Sequence, residues 1–167
     1  MNLKITTPLV IVLCAVAGIS RAEESYDFTL GTGFPFVFTP ELSITTQDNS
    51  YRYYLNGKVG VANGASLGFE HSVSENRRHA IGAFAGTVGL YEGESCPESD
   101  SVAQGLACSI AKALDWEAID GIGVSYSYNF QNMQGKGWKL RFEAGYGNGR
   151  NSGEKSSAGN VFIGYQF

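Results

Sequence analysis

A hydrolase triad is the first chemistry that the residue types suggest. The segment FEHSVSE places an acid, a histidine and a serine side by side at Glu70, His71 and Ser72, and serine hydrolases act with these three groups. The segment also alternates between apolar and polar residues, which predicts a strand. Adjacent strand residues point to opposite faces, so His71 and Ser72 cannot meet on one side. We therefore predict no catalytic residues here.

Charged residues recur at the polar positions of several alternating segments. They comprise five acids and four bases: Asp27, Glu41, Arg52, Lys58, Glu70, Glu117, Lys139, Arg141 and Glu143. If these residues share the inside of one fold, they either pair with one another in a packed interior or line a narrow polar conduit. The sequence leaves both interpretations open. It shows no pattern for which we expect a cofactor or a metal ion.

The first 22 residues have the features of a signal peptide. Lys4 precedes a short apolar run, and residues 20–22 form a small-x-small cleavage pattern. The run is shorter than the roughly 20 residues that a spanning helix needs. We expect export and one mature domain at residues 23–167. Removal of the segment leaves ten bases and sixteen acids, a net charge of −6, so we expect no nucleic acid partner.

The segment at residues 92–115 contains both cysteines of the mature chain. Ser101 and Gln104 match the spacing of a capping box, and apolar residues recur at helical intervals, so we expect a short amphipathic helix. An even number of cysteines in an exported chain favours a disulfide between Cys96 and Cys108. The segment either closes one end of the fold, presents a surface to a partner, or gathers divalent cations with its acidic residues.

The elements that position these residues are strands. Trp138, Leu140 and Phe142 alternate with Lys139 and Arg141, so one face is apolar and the other is charged. Alternating segments separated by turn residues predict eight strands, at residues 25–34, 37–46, 51–62, 65–74, 79–91, 116–130, 137–148 and 158–167. Between Tyr26 and Ile44, the apolar residues that share one parity, and are expected on the apolar face, are Tyr26, Phe28, Leu30, Phe34, Phe36, Phe38, Leu42 and Ile44.

The polar face carries many glycines, and these favour a closed barrel with its polar face inside. Gly121, Gly123, Gly145 and Gly147 are examples. Small residues relieve crowding inside a narrow barrel. The apolar face carries aromatic residues near the strand ends, as the interfacial girdles of a membrane barrel require. A soluble β-sandwich, in which the apolar faces meet, is the alternative architecture.

The chain ends in NVFIGYQF, where Val161, Ile163, Tyr165 and Phe167 share the apolar face. This ending resembles the final-strand signature of small outer-membrane β-barrels of Gram-negative bacteria, which closes on an aromatic residue. With the signal peptide and the eight strands, the whole mature chain resembles the opacity-protein and OmpX-like class of these barrels.

The resemblance implies an all-β, eight-stranded antiparallel up-and-down transmembrane barrel in the outer membrane, with residues 92–115 as its third outer loop. Its implied partners are outer-membrane lipids, lipopolysaccharide and the barrel-assembly machinery, which reads the C-terminal signature. We expect a non-enzymatic surface protein with a structural or interaction role. The alternatives are a narrow small-solute pore, a soluble periplasmic sandwich and a lipid A-modifying enzyme. In the similar lipid A deacylases the pattern is His-x-Ser, whereas the residue two after His71 is Val73.

Overall fold

A computed structural model of the protein describes residues 25–91 and 116–167. These residues form eight strands: β1 Ser25–Phe34, β2 Phe36–Thr45, β3 Tyr51–Gly60, β4 Gly64–Ser72, β5 His79–Tyr91, β6 Glu117–Asn129, β7 Gly137–Gly149 and β8 Lys155–Gln166. Each strand pairs antiparallel with its neighbours in chain order, and β1 also pairs with β8, which closes the sheet into a barrel. The predicted eight-stranded barrel is confirmed, and the chain does not form the alternative sandwich.

The strand positions agree with the predicted ones to within three residues. The largest difference is at β8, which was expected from residue 158 and begins at Lys155. The predicted signal peptide at residues 1–22, the helix within residues 92–115 and the pair Cys96 and Cys108 lie outside the described residues.

The barrel has two distinct ends. The terminal end carries both ends of the barrel chain and the turns at residues 46–50, 73–78 and 130–136, while the loop end carries the turns at residues 61–63 and 150–154 and both ends of the segment at residues 92–115. In the first terminal-end turn, the Asp48 carboxylate accepts hydrogen bonds from the Thr46 hydroxyl at 2.6 Å and the Ser50 amide at 3.1 Å. These bonds, led by that from Thr46, lower the pKa of Asp48 to about 2.

The barrel wall is apolar outside and polar inside. Leu42, Leu55 and Leu67 are cross-strand neighbours on the outer face, and each is more than half exposed. The inward positions beside them carry buried polar residues such as Glu41 and Asn56. This arrangement inverts the usual distribution, in which acidic residues are exposed and large apolar residues are buried. Within residues 25–91 and 116–167, no helix is long and apolar enough to cross a membrane.

Phe36 does not follow the predicted alternation. Its side chain is 3% exposed and lies inside the barrel, whereas Val37 and Phe38 are both exposed on the outside. The pairing register between β2 and β3 shifts between Phe36 and Phe38. A bulge of this kind inserts one extra residue and redirects the side chains beyond it. The placement of Phe36 on the apolar outer face is therefore wrong, because the single parity assigned from Tyr26 to Ile44 did not allow for the bulge.

Large interior side chains lie opposite glycines. A Cβ atom on Gly68 would lie 2.5 Å from the Tyr54 ring, and one on Gly123 would lie 2.6 Å from the Phe84 ring. Both distances are too short for real carbon contacts, so the aromatic rings use the space that the missing side chains leave. Tyr54 and Phe84 join Val88 and Ile119 in a buried apolar cluster, which fills the interior towards the loop end.

Candidate functional site: the charged barrel interior

The barrel interior is the candidate site because the predicted charged residues converge there. All nine of them are at most 8% exposed. A charge buried to this extent is costly unless it is paired and hydrogen-bonded. Seven of the nine form what we call the interior ion-pair network: Glu41, Glu70, Glu143, Arg52, Lys58, Lys139 and Arg141. The pair of Lys58 and Glu143 joins the others through Arg141, whose terminal nitrogen lies 3.8 Å from Glu143 Oε1.

Arg141 lies at the centre of the network. Its Nε donates to Glu70 Oε1 at 2.8 Å, and its two terminal nitrogens both donate to the Glu41 carboxylate. The guanidinium carbon also lies 3.9 Å from the centre of the Tyr54 ring, close enough for a cation–π contact. Arginine suits this position because its planar group presents several donors in a fixed geometry. Arg141 thereby connects carboxylates from β2 and β4 to β7.

Arg52 extends the network towards the terminal end. Its guanidinium donates to Glu70 Oε2 at 3.3 Å and to Gln166 Oε1 at 3.1 Å, and also to the backbone carbonyl of Met133. Gln166 donates to the same carbonyl at 3.1 Å. Met133 is fully buried although it belongs to the turn at residues 130–136. The turn therefore folds under the barrel and covers its terminal end.

The two lysines complete the pairing. Lys58 Nζ donates to Glu143 Oε2 and to the backbone carbonyl of Thr87, both at 2.6 Å. Lys139 donates to the Glu41 carboxylate that also binds Arg141. Asn160 donates to Glu143 at 2.7 Å and so satisfies the carboxylate further. Each glutamate of the network therefore has at least two donors.

Asp27 and Glu117 are the predicted interior charges outside the network. Asp27 is buried at the terminal end and interacts electrostatically with Arg52. Glu117 lies at the loop end, where its carboxylate accepts hydrogen bonds from the Ser152 amide and hydroxyl. Asp27 and the three glutamates of the network give the interior four carboxyl groups, which equals the number of its basic residues. Of the two open interpretations, the geometry favours a packed interior over a polar conduit.

Several residues of the site were not identified from the sequence. Asn129 and Gln166 occupy inward positions of β6 and β8, so the alternation contains the signal for both. Tyr54 also lies inward, but an aromatic residue among polar neighbours gave no indication of an interior role. The burial of Met133 could not be predicted from the sequence, because the alternation of polar and apolar residues does not extend into a turn.

The side chains of Glu70, His71 and Ser72 point to different surroundings. Glu70 faces the interior and accepts hydrogen bonds from Arg52 and Arg141. The His71 ring lies 4.6 Å from the Tyr51 ring, and its Nδ1 lies 3.1 Å from a backbone carbonyl of the turn at residues 46–50. The Ser72 hydroxyl donates to a backbone carbonyl two residues later at 3.3 Å. The three groups have separate partners.

The C-terminal signature residues lie on the outer face of β8 and at its end. Val161, Ile163, Tyr165 and Phe167 are between 36% and 54% exposed. The amide of Phe167 donates to the Phe28 carbonyl at 2.9 Å, and the two rings stack with centres 6.2 Å apart. The final residue is therefore held against β1 at the seam of the barrel.

At the loop end, Arg150 connects three parts of the rim. It donates to both carboxylate oxygens of Asp120 at 2.8 Å and to the Asn63 carbonyl at 2.7 Å. The hydrogen bonds to Asp120 raise the pKa of Arg150 above its ordinary value. The contacts join the turn at residues 61–63, β6 and the turn at residues 150–154.

Within residues 25–91 and 116–167, no three side chains of His, Cys, Asp or Glu are placed to hold a metal ion together. No protein-family model, curated protein or solved structure matches the chain.

Proposed function

We propose that the protein is an integral outer-membrane β-barrel with a structural or interaction role at the cell surface, exerted through an outer loop at residues 92–115. The observation that carries this proposal is the inverted polarity of the barrel. Paired charges are buried inside, and large apolar side chains are exposed outside. The lipids of the membrane, lipopolysaccharide and the barrel-assembly machinery are the partners in this proposal.

The exposed apolar wall supports a hydrocarbon environment. Leu55 on β3, Leu67 on β4, and Ile122 and Val124 on β6 are between 53% and 72% exposed on the outer face. Soluble monomers rarely expose contiguous apolar patches larger than a few hundred Å². The strands contain 9 to 13 residues, and a tilted membrane-spanning strand needs about 9–11. Strand length and exterior composition thus both fit a bilayer.

Aromatic contacts at the terminal end support an interfacial girdle. The Trp138 and Tyr165 rings meet edge to face with centres 5.6 Å apart, and the Tyr128 and Phe130 rings do so at 5.1 Å. Aromatic residues are enriched where a barrel passes from hydrocarbon to headgroups. In the proposal this end faces the periplasm, because the longest connection then lies outside the cell.

The packed interior favours a structural or interaction role over a small-solute pore. The interior ion-pair network, the apolar cluster around Phe84 and the buried Met133 occupy the space that a conduit would need. An eight-stranded barrel encloses little more room than its own side chains fill. In the proposal, the segment at residues 92–115 makes any contact with a surface partner.

The proposal is tested by placing a charge on the proposed lipid-facing wall. Leu55→Arg introduces an arginine at the middle of β3, between Leu42 and Leu67. At the bilayer midplane such a change costs about 2–4 kcal/mol. We expect less folded barrel in the outer-membrane fraction, measured by the shift in gel mobility between unboiled and boiled samples. Asn151→Arg, in an exposed loop-end turn, is the matched control and should leave the shift unchanged.

Several outcomes would contradict the proposal. A protein recovered in the soluble periplasm, with equal folding of both arginine variants, would exclude the membrane wall. Discrete conductance steps of the purified barrel in planar bilayers would favour the pore. A change in the mass of lipid A in a deletion strain would favour the lipid-modifying enzyme if the wild-type protein restores the mass and variants substituted at His71 or His79 do not.

A further inference from the structure

An apolar groove runs along the outer face of the barrel over β5, and we call it the β5 groove. It has a volume of about 820 Å³, and its floor carries Ala83 and Ala85. Cross-strand pairing places each alanine between two larger side chains of the neighbouring strands. These walls of the groove are Leu67 and Phe69 on β4 and Ile122 and Val124 on β6. Apolar groups therefore bound the groove on its floor and on both walls.

The length of the groove fits one leaflet of a bilayer. From the groove towards the terminal end, the outward residues of β5 are Ala85, Ala83, Ile81 and His79. The strand between the first and the last of them extends about 20 Å. At a tilt of about 45° this length covers about 14 Å of depth, close to half of a hydrocarbon core roughly 30 Å thick. An extended acyl chain can therefore lie along β5 from the middle of the core to its boundary.

His79 lies at the terminal end of this path, where two tyrosines of β6 hold its ring. The ring centre lies 5.1 Å from that of Tyr128, and Nδ1 lies 2.7 Å from the Tyr126 hydroxyl. In the tautomer that we assign, the hydroxyl donates to Nδ1, so the ring hydrogen is on Nε2. The contact with Tyr126 thereby leaves Nε2 as a donor at the boundary of the apolar wall.

His71, on the outward face of the neighbouring strand, is engaged differently. Its Nδ1 lies 3.1 Å from the Ser50 carbonyl oxygen. A carbonyl oxygen only accepts, so the hydrogen of the neutral His71 ring is on Nδ1 and Nε2 is an acceptor. His79 is therefore the histidine that offers a donor to an anionic group.

The turn at residues 73–78, directly before His79, is basic. It contains Arg77 and Arg78 against one acid, Glu75. Arg77 also interacts with Asp48 of the turn at residues 46–50, which offsets part of its charge. The remaining positive charge attracts an anion to the terminal end of the β5 groove.

We propose that the β5 groove binds one glycerophospholipid, with an acyl chain between β4 and β6 and the headgroup phosphate at His79 Nε2. This inference rests on the membrane location proposed above and names one lipid site on the outer wall. A phosphate oxygen accepts from Nε2 and is attracted by the basic turn, while the chain packs against the apolar walls. A second copy of the barrel fits less well, because its outward strand residues in the described part of the chain offer His79 no anion.

The groove is tested by filling it. The full mature barrel is purified in a non-ionic detergent without phosphate, and binding of phosphatidylglycerol is titrated by native mass spectrometry. We expect the unsubstituted barrel to bind one lipid more tightly than any further lipid. Ala83→Phe occupies the space of the chain and should raise the dissociation constant of this lipid about fivefold or more. Thr32→Phe, on the outward face of β1 across the barrel, is the matched control and should leave the constant unchanged.

The headgroup contact is tested with His79→Phe, which keeps a ring beside Tyr128 and removes the donor. We expect the dissociation constant for phosphatidylglycerol to rise about tenfold. His71→Phe is the matched control and should leave it unchanged, because Nδ1 of His71 already contacts the Ser50 carbonyl. Diacylglycerol with the same chains lacks the phosphate, so it should bind more weakly and with equal affinity to His79→Phe and to the unsubstituted barrel.

Three results would overturn the proposal. The first is equal binding of phosphatidylglycerol by Ala83→Phe and the unsubstituted barrel, and the second is an equal loss of binding in His79→Phe and His71→Phe. The third is a dimer that forms without lipid and is lost in Ala83→Phe, which would assign the groove to a second copy. All four variants keep an apolar outer wall and should still show the shift in gel mobility on boiling. Failure of the lipid site is therefore distinct from failure of the membrane proposal, which Leu55→Arg tests.

Discussion

Arg141 illustrates how one buried charge constrains its neighbours. Its guanidinium serves Glu41 and Glu70 at once, while Lys139 and Arg52 each bind one of these carboxylates from another side. A buried ion pair contributes little net stability by itself, because desolvation opposes the Coulomb attraction. Loss of one partner is different, since it leaves the opposite charge buried without its donor. The stability of the folded barrel is therefore more sensitive to the loss of a single residue of the network than the small net contribution of each ion pair suggests.

We predict that Arg141→Met destabilises the folded barrel by about 3–5 kcal/mol, because Glu41 and Glu70 then lose a charged donor in a buried site. The free energy of unfolding in urea measures the effect. Arg78→Met is the control, since Arg78 lies exposed in a terminal-end turn and, within the described residues, its side chain donates only to the backbone carbonyl of Gln131. Equal unfolding midpoints for the two variants would contradict the role of Arg141.

At the scale of elements, the strands could be predicted because a barrel wall separates two environments. In β7, Trp138, Leu140 and Phe142 face outward. Lys139 and Arg141 face inward, so apolar and charged residues alternate along the strand. Turn residues then mark the ends of each strand. The sequence therefore contained the number, order and approximate limits of the strands, and the side of the wall on which the charges lie.

The pairing between elements could not be predicted in the same way. Glu41 and Arg141 are 100 residues apart, and their contact depends on the stagger between strands, which alternation does not specify. Phe36 turned inward because the register with β3 shifts at that point. Met133 is buried because its turn folds under the barrel. Each of these features depends on cross-strand geometry and not on local residue type.

Closure of the barrel depends on the seam between β1 and β8, where Gly33 lies opposite Phe162. A Cβ atom on Gly33 would lie 1.8 Å from the Val161 carbonyl oxygen, which belongs to the backbone and cannot rotate away. We predict that Gly33→Ala shifts or opens this seam. Hydrogen exchange should become faster in β1 and β8 while β3 and β4 stay protected.

Gly57→Ala is the control for the seam prediction. A Cβ atom there would meet the Pro40 ring at 3.5 Å, an ordinary contact, so the alanine is accommodated. Exchange in all strands should match the unsubstituted barrel. If Gly33→Ala also leaves the exchange of β1 and β8 unchanged, the close approach of β1 and β8 does not hold in solution.

For the whole molecule, the two ends of the barrel have different roles in the proposed function. The terminal end is covered by the turn that contains Met133, and the interior near the loop end is filled by Phe84, Val88 and Ile119. Arg150 and Asp120 join the strands and turns of the loop-end rim. In the proposed function, a barrel closed and packed in this way serves as a support for the outer loop. The specificity of a surface protein built on it then belongs to residues 92–115, which connect β5 and β6.

The expected disulfide between Cys96 and Cys108 makes that connection testable. We expect this bond to close a ring of about 13 residues, which the chain-entropy model values at about 3 kcal/mol, and so to reduce cleavage of the segment by a protease. We predict that Cys96→Ser increases cleavage between residues 92 and 115 while the strands stay intact, as judged by fragment masses. Cys108→Ser should give the same increase, and the double variant no more than either single change. Equal cleavage with and without reductant would show that the bond is absent or does not restrict cleavage, and a difference between the two single variants would show that the expected pairing is wrong.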